Sequence, residues 1–125
     1  MSRVIKTIEI EGQPVKALFD TGAFHSYVLR QYLESVPMRS VAKPYDVALG
    51  GETIKIREHA LMEGKIEGLD FETSVVPVES LGKANGYDLG AIIGASTMQP
   101  WEITVNSRER TLGLDGLKRR KFIEY

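Results

Sequence analysis

One carboxylate in this sequence stands at the end of an apolar run and is followed by a hydroxyl residue and a glycine. The apolar residues 17–19 lead without a polar break into Asp20, Thr21 and Gly22, and Ala23 follows. Such a run predicts a strand buried on both faces. A carboxylate at its end must be paired, hydrogen-bonded or neutralised. Because Gly22 permits a tight turn and Thr21 can bond backbone groups, Asp20 is expected at a fixed position suited to acid–base catalysis.

Asp-Thr-Gly also occurs in ordinary loops, where the aspartate bonds its own backbone and the glycine takes a positive φ angle. The apolar residues on both sides favour the catalytic interpretation. The sequence has one Asp-Thr-Gly; its internal rival is Asp88, which is followed by Leu89 and Gly90 and lacks the hydroxyl residue. We interpret Asp88 as a turn or cap residue.

Composition excludes several function classes. With 125 residues the chain is long enough for one domain, and its net charge of −1 gives no electrostatic case for binding nucleic acid or a membrane surface. There is no cysteine, and His25 and His59 are 34 residues apart without ligand spacing, so no metal and no cofactor is predicted. No run approaches a membrane span, and the first residues lack the apolar stretch of a signal peptide, so a cytoplasmic location is expected.

The elements that must position Asp20 are nearly all predicted strands. Residues 45–49 and 53–56 are strand-like runs around Gly50 and Gly51, which is a strong hairpin signal, and residues 40–44 are a predicted loop. Many short runs separated by turn signals indicate an all-β barrel or sandwich.

One or two short helices are predicted, over residues 30–36 and 97–99. Residues 1–115 are predicted to form a single domain, and residues 116–125 a basic C-terminal tail. The four consecutive basic residues 118–121 are interpreted as a solvated part of that tail.

The sequence contains a weak internal repeat. Ile10-Glu11-Gly12 is echoed 56 residues later by Ile66-Glu67-Gly68. Each copy predicts a strand, a turn and a returning strand, and each is followed by a buried strand that ends in glycine. The second half therefore resembles the first with its carboxylate replaced by aliphatic residues.

These motifs together resemble the retropepsin family, the single-lobed aspartic proteases of retroviruses and their cellular relatives. The resemblance is carried by residues 17–23, by Ile92-Ile93-Gly94 and by the hairpin between them, and it spans roughly residues 4–114. It implies an all-β acid protease barrel of one lobe, with the active site at a homodimer interface. No cofactor is implied.

By that resemblance the chain is an aspartic endopeptidase acting on polypeptide. Asp20 is the catalytic aspartate, one from each subunit, and Thr21 and Gly22 form the turn that supports it. The resemblance implies a further set of residues that contact the substrate: Ala23, Leu49, Gly50, Gly51 and Ile92. A non-catalytic module of the same fold, which binds peptide or serves in dimerisation, is the alternative.

The sequence departs from the retroviral pattern at two positions. Retroviral enzymes carry an acidic residue directly after Asp-Thr-Gly-Ala and an arginine after Ile-Ile-Gly, and these two pair. Phe24 and Ala95 stand at those positions here. A large and a small apolar residue are therefore expected to replace the ion pair near the dimer axis. The next residue, His25, is interpreted as either a plain surface histidine or a residue that contacts the substrate.

Overall fold

The computed structural model describes residues 2–120 and 124, and this part of the chain is built mainly of strands. The strands are β1 (Arg3–Ile10), β2 (Gln13–Asp20), β3 (Tyr27–Leu29), β4 (Met38–Leu49), β5 (Glu52–Ile66), β6 (Leu69–Val78), β7 (Lys83–Ala84), β8 (Tyr87–Asp88), β9 (Ala91–Ile93), β10 (Thr104–Asn106) and β11 (Thr111–Gly113). The helices are α1 (Ala95–Met98) and α2 (Asp115–Arg119), with a 3₁₀ turn at Arg30–Tyr32. The predicted all-β class is confirmed.

Seven strands form one sheet that closes into a barrel. Their order is β1-β2-β9-β3-β6-β5-β4, and β1 also pairs with β5 through Glu9↔Lys65 and Ile10↔Gly64. That pairing joins six strands in a ring and leaves β4 outside it. The pairing covers the Glu9–Ile10 end of the β1 edge that faces away from β2.

The strand that leads to Asp20 is buried on both faces, as its apolar run predicts. β2 pairs with β1 on one side and runs parallel to β9 on the other. Phe19 packs in the main core, whereas Leu18 belongs to a second apolar cluster with Ile92. Successive side chains of a strand point to opposite faces, so both faces of β2 require apolar residues.

The two copies of the sequence repeat form matching turns. Glu11-Gly12 connects β1 to β2 with φ angles of 50° and 78°, and Glu67-Gly68 connects β5 to β6 with 50° and 80°. Both are two-residue hairpin turns with positive φ at each position. The buried strands that follow, β2 and β9, lie side by side with Leu18 opposite Ile92.

The predicted hairpin at Gly50-Gly51 is present, but its strands are longer than the sequence indicates. Leu49 pairs with Glu52, and the two glycines have φ angles of 59° and 82°. Residues 40–44, predicted as a loop, lie within β4, where the register shifts between Ser40 and Tyr45. β5 is a single 15-residue strand, because it pairs along its length with β4 or with β6.

Both predicted helical segments differ from the observed ones: the first is shorter in the structure, and the second begins earlier in the chain. Residues 30–36 contain only the 3₁₀ turn, and the helix predicted over 97–99 is α1, which begins at Ala95. The predicted tail boundary after residue 115 falls inside α2, whose Leu117 is buried in the main core. Residues 121–123 and 125 of that segment lie outside the described part of the chain. No helix in the described part is long and apolar enough to cross a membrane.

Candidate active site

Asp20 is the last residue of β2, and its carboxylate is held by its own turn. The Gly22 N–H donates to Asp20 Oδ1 at 2.9 Å, and the Ala23 N–H donates to the Asp20 carbonyl at 3.1 Å. The second carboxylate oxygen, Oδ2, lies 3.7 Å from Arg3 Nε. The Asp20 side chain is 17% exposed. One oxygen is therefore fixed by the backbone, and the other remains reachable beside a guanidinium group.

Thr21 stabilises the turn by hydrogen bonds to Ser2, the residue before β1, and not by a bond to the Asp20 carboxylate. Its N–H donates to the Ser2 carbonyl at 3.0 Å, and its Oγ1 accepts from the Ser2 N–H at 2.8 Å. These bonds extend the β1–β2 ladder, in which Arg3 is opposite Asp20. The hydroxyl predicted to bond backbone groups does so.

Gly94 follows β9 at the point where the chain meets the loop after Asp20. The Ala95 N–H donates to the Ala23 carbonyl and the Ser96 N–H donates to the Phe24 carbonyl, both at 2.8 Å. A Cβ atom on Gly94 would lie 2.2 Å from the His25 carbonyl oxygen, too close for any side chain. Close backbone approach explains the glycine in Ile92-Ile93-Gly94.

Three buried hydroxyl groups connect the loop after Asp20 to α1 and to β6, and no local sequence pattern predicts them. Ser26 Oγ is 2.6 Å from Thr97 Oγ1, and Thr97 Oγ1 is 2.7 Å from Thr73 Oγ1. Ser26 Oγ also accepts from the Gly94 N–H at 3.0 Å. The residues are 71 and 24 positions apart, so only the folded chain brings them together.

A cleft of about 440 Å³ lies between Asp20 and the tip of the β4–β5 hairpin. Four of the predicted site residues line it, namely Asp20, Leu49, Gly50 and Ile92. The rest of the lining mixes apolar, polar and charged residues: Leu18, Ile54, Leu81, Ala84, Leu89, Gly82, Ser80, Arg3, Glu52 and Lys83. A concave site that combines apolar walls with convergent polar groups is typical of ligand binding.

The other predicted site residues stand outside that lining. Ala23 packs against the apolar cluster beneath the cleft, Thr21 and Gly22 form the turn, and Gly51 is exposed at the hairpin tip. A depression of about 490 Å³ elsewhere, lined by Glu9, Glu63 and other residues, contains none of the predicted set. Acid–base catalysis needs a carboxylate held at a fixed position, and Asp20 is such a group in this cleft. The cleft at Asp20 is therefore the candidate active site.

The two histidines are far apart in the sequence, but in the structure both lie next to Tyr45 of the β4–β5 hairpin. His25 Nε2 lies 3.2 Å from Tyr45 Oη, and His59 Nε2 lies 3.3 Å from the same oxygen. His59 Nδ1 is 3.3 Å from Ser74 Oγ. Burial, and then the charge of His59, lower the pKa of His25 below its ordinary value. His25 is therefore part of a cluster and not a plain surface histidine.

Comparison with known proteins identifies the family and the fold. A family model described as aspartyl protease matches residues 6–97. The retroviral protease-like domain of Ddi1 from Leishmania major is similar in fold, with a TM-score of 0.60 at 15% identity, over 94% of this chain and 88% of that chain. Simian foamy virus protease has a TM-score of 0.50 at 20% identity, over 80% of this chain and 93% of that chain. No curated protein matches the sequence. The predicted retropepsin-like fold is confirmed.

Proposed function

Because this chain belongs to the aspartyl protease family, we propose that it is an endopeptidase whose catalytic pair consists of two Asp20 carboxylates, one from each of two identical chains. One carboxylate takes a proton from the attacking water, and the other, protonated, donates to the scissile carbonyl. Two carboxylates about 3 Å apart share one proton, because both cannot be ionised together.

The observation that carries this proposal is the position of the Asp20 carboxylate. The Gly22 N–H holds Oδ1, so Oδ2 is the oxygen available to water and to a second carboxylate. Arg3 Nε lies 3.7 Å from Oδ2 at the same end of β2. A carboxylate fixed at the end of a buried strand and open to a cleft is suited to proton transfer.

The dimer is part of the proposal because the mechanism needs two carboxylates. Asp20 is the one aspartate among the described residues that line the cleft. Asp88 has an 84% exposed side chain and lies 3.7 Å from Lys83. A second chain related by a twofold axis would bring a second Asp20 to the first through isologous contacts.

The substrate in this proposal is an extended polypeptide. Leu49 and Gly50, at the tip of the β4–β5 hairpin, line the same cleft as Leu18 and Ile92. A hairpin that closes over a bound peptide excludes water from the reaction, as mobile lids do.

The test compares wild type with Asp20→Asn on an unbiased peptide mixture between about pH 4 and 6.5, where one shared proton is expected on the pair. Cleavage products are identified by mass spectrometry. Loss of one acid–base group costs about 10²–10⁴-fold in rate, so cleavage should disappear when both copies are changed. Asp88→Asn is the matched control, since it changes the other Asp-x-Gly of the chain, and it should cleave like wild type.

Equal cleavage by wild type and Asp20→Asn would show that another site or a contaminant is responsible. If dimeric wild type binds peptides and cleaves none of them, the chain is the non-catalytic module of the same fold instead.

A further inference from the structure

All the imidazole groups of this chain meet at one phenol oxygen. His25 Nε2 and His59 Nε2 lie 3.2 and 3.3 Å from Tyr45 Oη. The three side chains come from the loop after Asp20, from β4 and from β5. The sequence has two histidines and no cysteine, so any nitrogen or sulfur ligation of a metal by side chains would be concentrated here.

We propose that His25, His59 and Tyr45 form a binding site for a divalent transition metal ion of the zinc class. Imidazole nitrogen suits zinc, copper and nickel, whereas magnesium and calcium prefer sets of oxygen ligands. None of the three donors is Asp20 or belongs to a second chain, so zinc binding can be tested separately from the proposed proteolysis.

The two nitrogen–oxygen separations are compatible with edges of a tetrahedral site. With Zn–N bonds of 2.0–2.1 Å, adjacent ligands of a tetrahedral ion are separated by about 3.3–3.4 Å. The two nitrogen–oxygen separations of 3.2 and 3.3 Å are close to that edge length. Within residues 2–120 and 124 no three His, Cys, Asp or Glu side chains form a metal site. The proposed donor set is therefore a mixed one, in which the Tyr45 oxygen joins the two imidazole nitrogens and water takes the fourth position. On binding, the phenol releases its proton to solvent.

Ser74 supports the ring orientation that a metal requires. His59 Nδ1 lies 3.3 Å from Ser74 Oγ. When Nδ1 carries the proton and donates it to this hydroxyl, the lone pair of Nε2 points toward Tyr45. A ligating histidine almost always donates its other ring N–H in this way, which fixes the tautomer.

The site is reachable from solvent. A cavity of about 290 Å³ is lined by all three donors together with Ser74 and Ser96. It exceeds the roughly 30 Å³ that one water occupies, so a hydrated ion has room to enter. An ion bound there would connect the loop after Asp20 to both strands of the β4–β5 hairpin.

The test uses the full chain, stripped with a chelator, and Zn²⁺ or Co²⁺ alone at pH 7.5. Calorimetry should show one Zn²⁺ per chain, and Co²⁺ should give the visible absorption of a tetrahedral ion. In wild type, the nitrogen resonances of both imidazole rings should shift on Zn²⁺ addition, which requires no variant.

Variants then assign the donors. His25→Ala and His59→Ala should each weaken binding at least about 100-fold, and Ser74→Ala about 10–100-fold, the range for a residue that orients a ligand. Asp20→Asn is the control and should bind like wild type, with folding of every variant checked by circular dichroism. Absence of Zn²⁺ binding, unchanged affinity in the His25→Ala/His59→Ala double variant, or loss of binding in Asp20→Asn would each overturn the proposal.

Discussion

The hydroxyl oxygen of Ser26 lies 2.6 Å from that of Thr97 and forms a buried link between the two halves of the candidate site. Ser26 follows the Asp20 turn, and Thr97 lies on α1 directly after β9. The link continues to Thr73 at 2.7 Å and to the Gly94 N–H at 3.0 Å. All three hydroxyl residues are buried, so the loop that carries Asp20 is connected to the strand beside it by bonds that water does not replace.

Thr97→Val should destabilise the fold by about 1–3 kcal/mol, because the valine keeps the shape of threonine but removes a partner from two buried hydroxyls. Urea unfolding followed by circular dichroism measures the change. Thr111→Val, at an exposed position of β11, is the matched control and should stay within about 0.5 kcal/mol of wild type. Similar losses in both variants would show that the hydroxyl chain contributes nothing specific.

Phe24→Ala should weaken self-association while leaving the fold of each chain nearly unchanged. In the single chain the Phe24 side chain is 63% exposed, with its ring edge against His25. If each chain covers the Phe24 of the other, full burial contributes about 1.5–3 kcal/mol per copy, and the loss of both copies raises the dimer Kd roughly 10²- to 10⁴-fold. Sedimentation over a range of micromolar concentrations measures this.

Leu61→Ala is the matched control for that experiment, since Leu61 is an exposed apolar residue of similar exposure on β5, at 61%. It should not change the dimer Kd. Equal effects of the two substitutions, or none from Phe24→Ala, would place Phe24 away from the contact between chains.

The sequence predicted those parts of the fold that local patterns specify. The apolar run before Asp20 predicted a strand buried on both faces, and Phe19 and Leu18 indeed pack in different clusters. Gly50-Gly51 predicted a hairpin because a two-residue turn needs positive φ, and both glycines have it. The resemblance to retropepsins, which rests on the order of these motifs, gave the correct fold.

Features that depend on long-range pairing could not be predicted in the same way. Residues 40–44 were predicted as a loop from their composition, yet pairing with β5 holds β4 together across a register shift. His25 and His59 have no ligand spacing in sequence, but β4 brings Tyr45 between them. A rule based on sequence spacing detects side chains grouped on one element. It cannot detect side chains that three separate elements bring together in the fold.

Gly51→Val should lower kcat/KM for peptide cleavage far more than it lowers Tm. Gly51 has a φ angle of 82°, and a Cβ there meets nothing within 4 Å, so the cost to stability is local strain of about 1–3 kcal/mol. Gly68→Val is the control, because Gly68 has a φ angle of 80° and equally open space in the turn between β5 and β6. If Gly68→Val lowers kcat/KM as much, the β4–β5 hairpin does not act as a lid.

The metal-free protein should show His25 titrating below the ordinary pKa of a histidine. Burial is the larger cause and the positive charge of His59 the smaller, and both oppose protonation of His25. The unfolded chain therefore takes up this proton at a higher pH than the folded chain. As the pH falls below the ordinary histidine pKa, the unfolded chain binds this proton before the folded chain does. The free energy of unfolding therefore decreases as the pH falls through this range.

Proton NMR of the two imidazole rings, with a chelator present, measures the titration directly. His59→Ala removes the charge but leaves the burial, so the pKa of His25 should rise only part of the way to its ordinary value. His25→Gln should remove this contribution to the pH dependence of unfolding, because no titrating ring remains at that position. A wild-type His25 that titrates at or above the ordinary value would contradict this prediction, because burial and the charge of His59 would then not oppose its protonation.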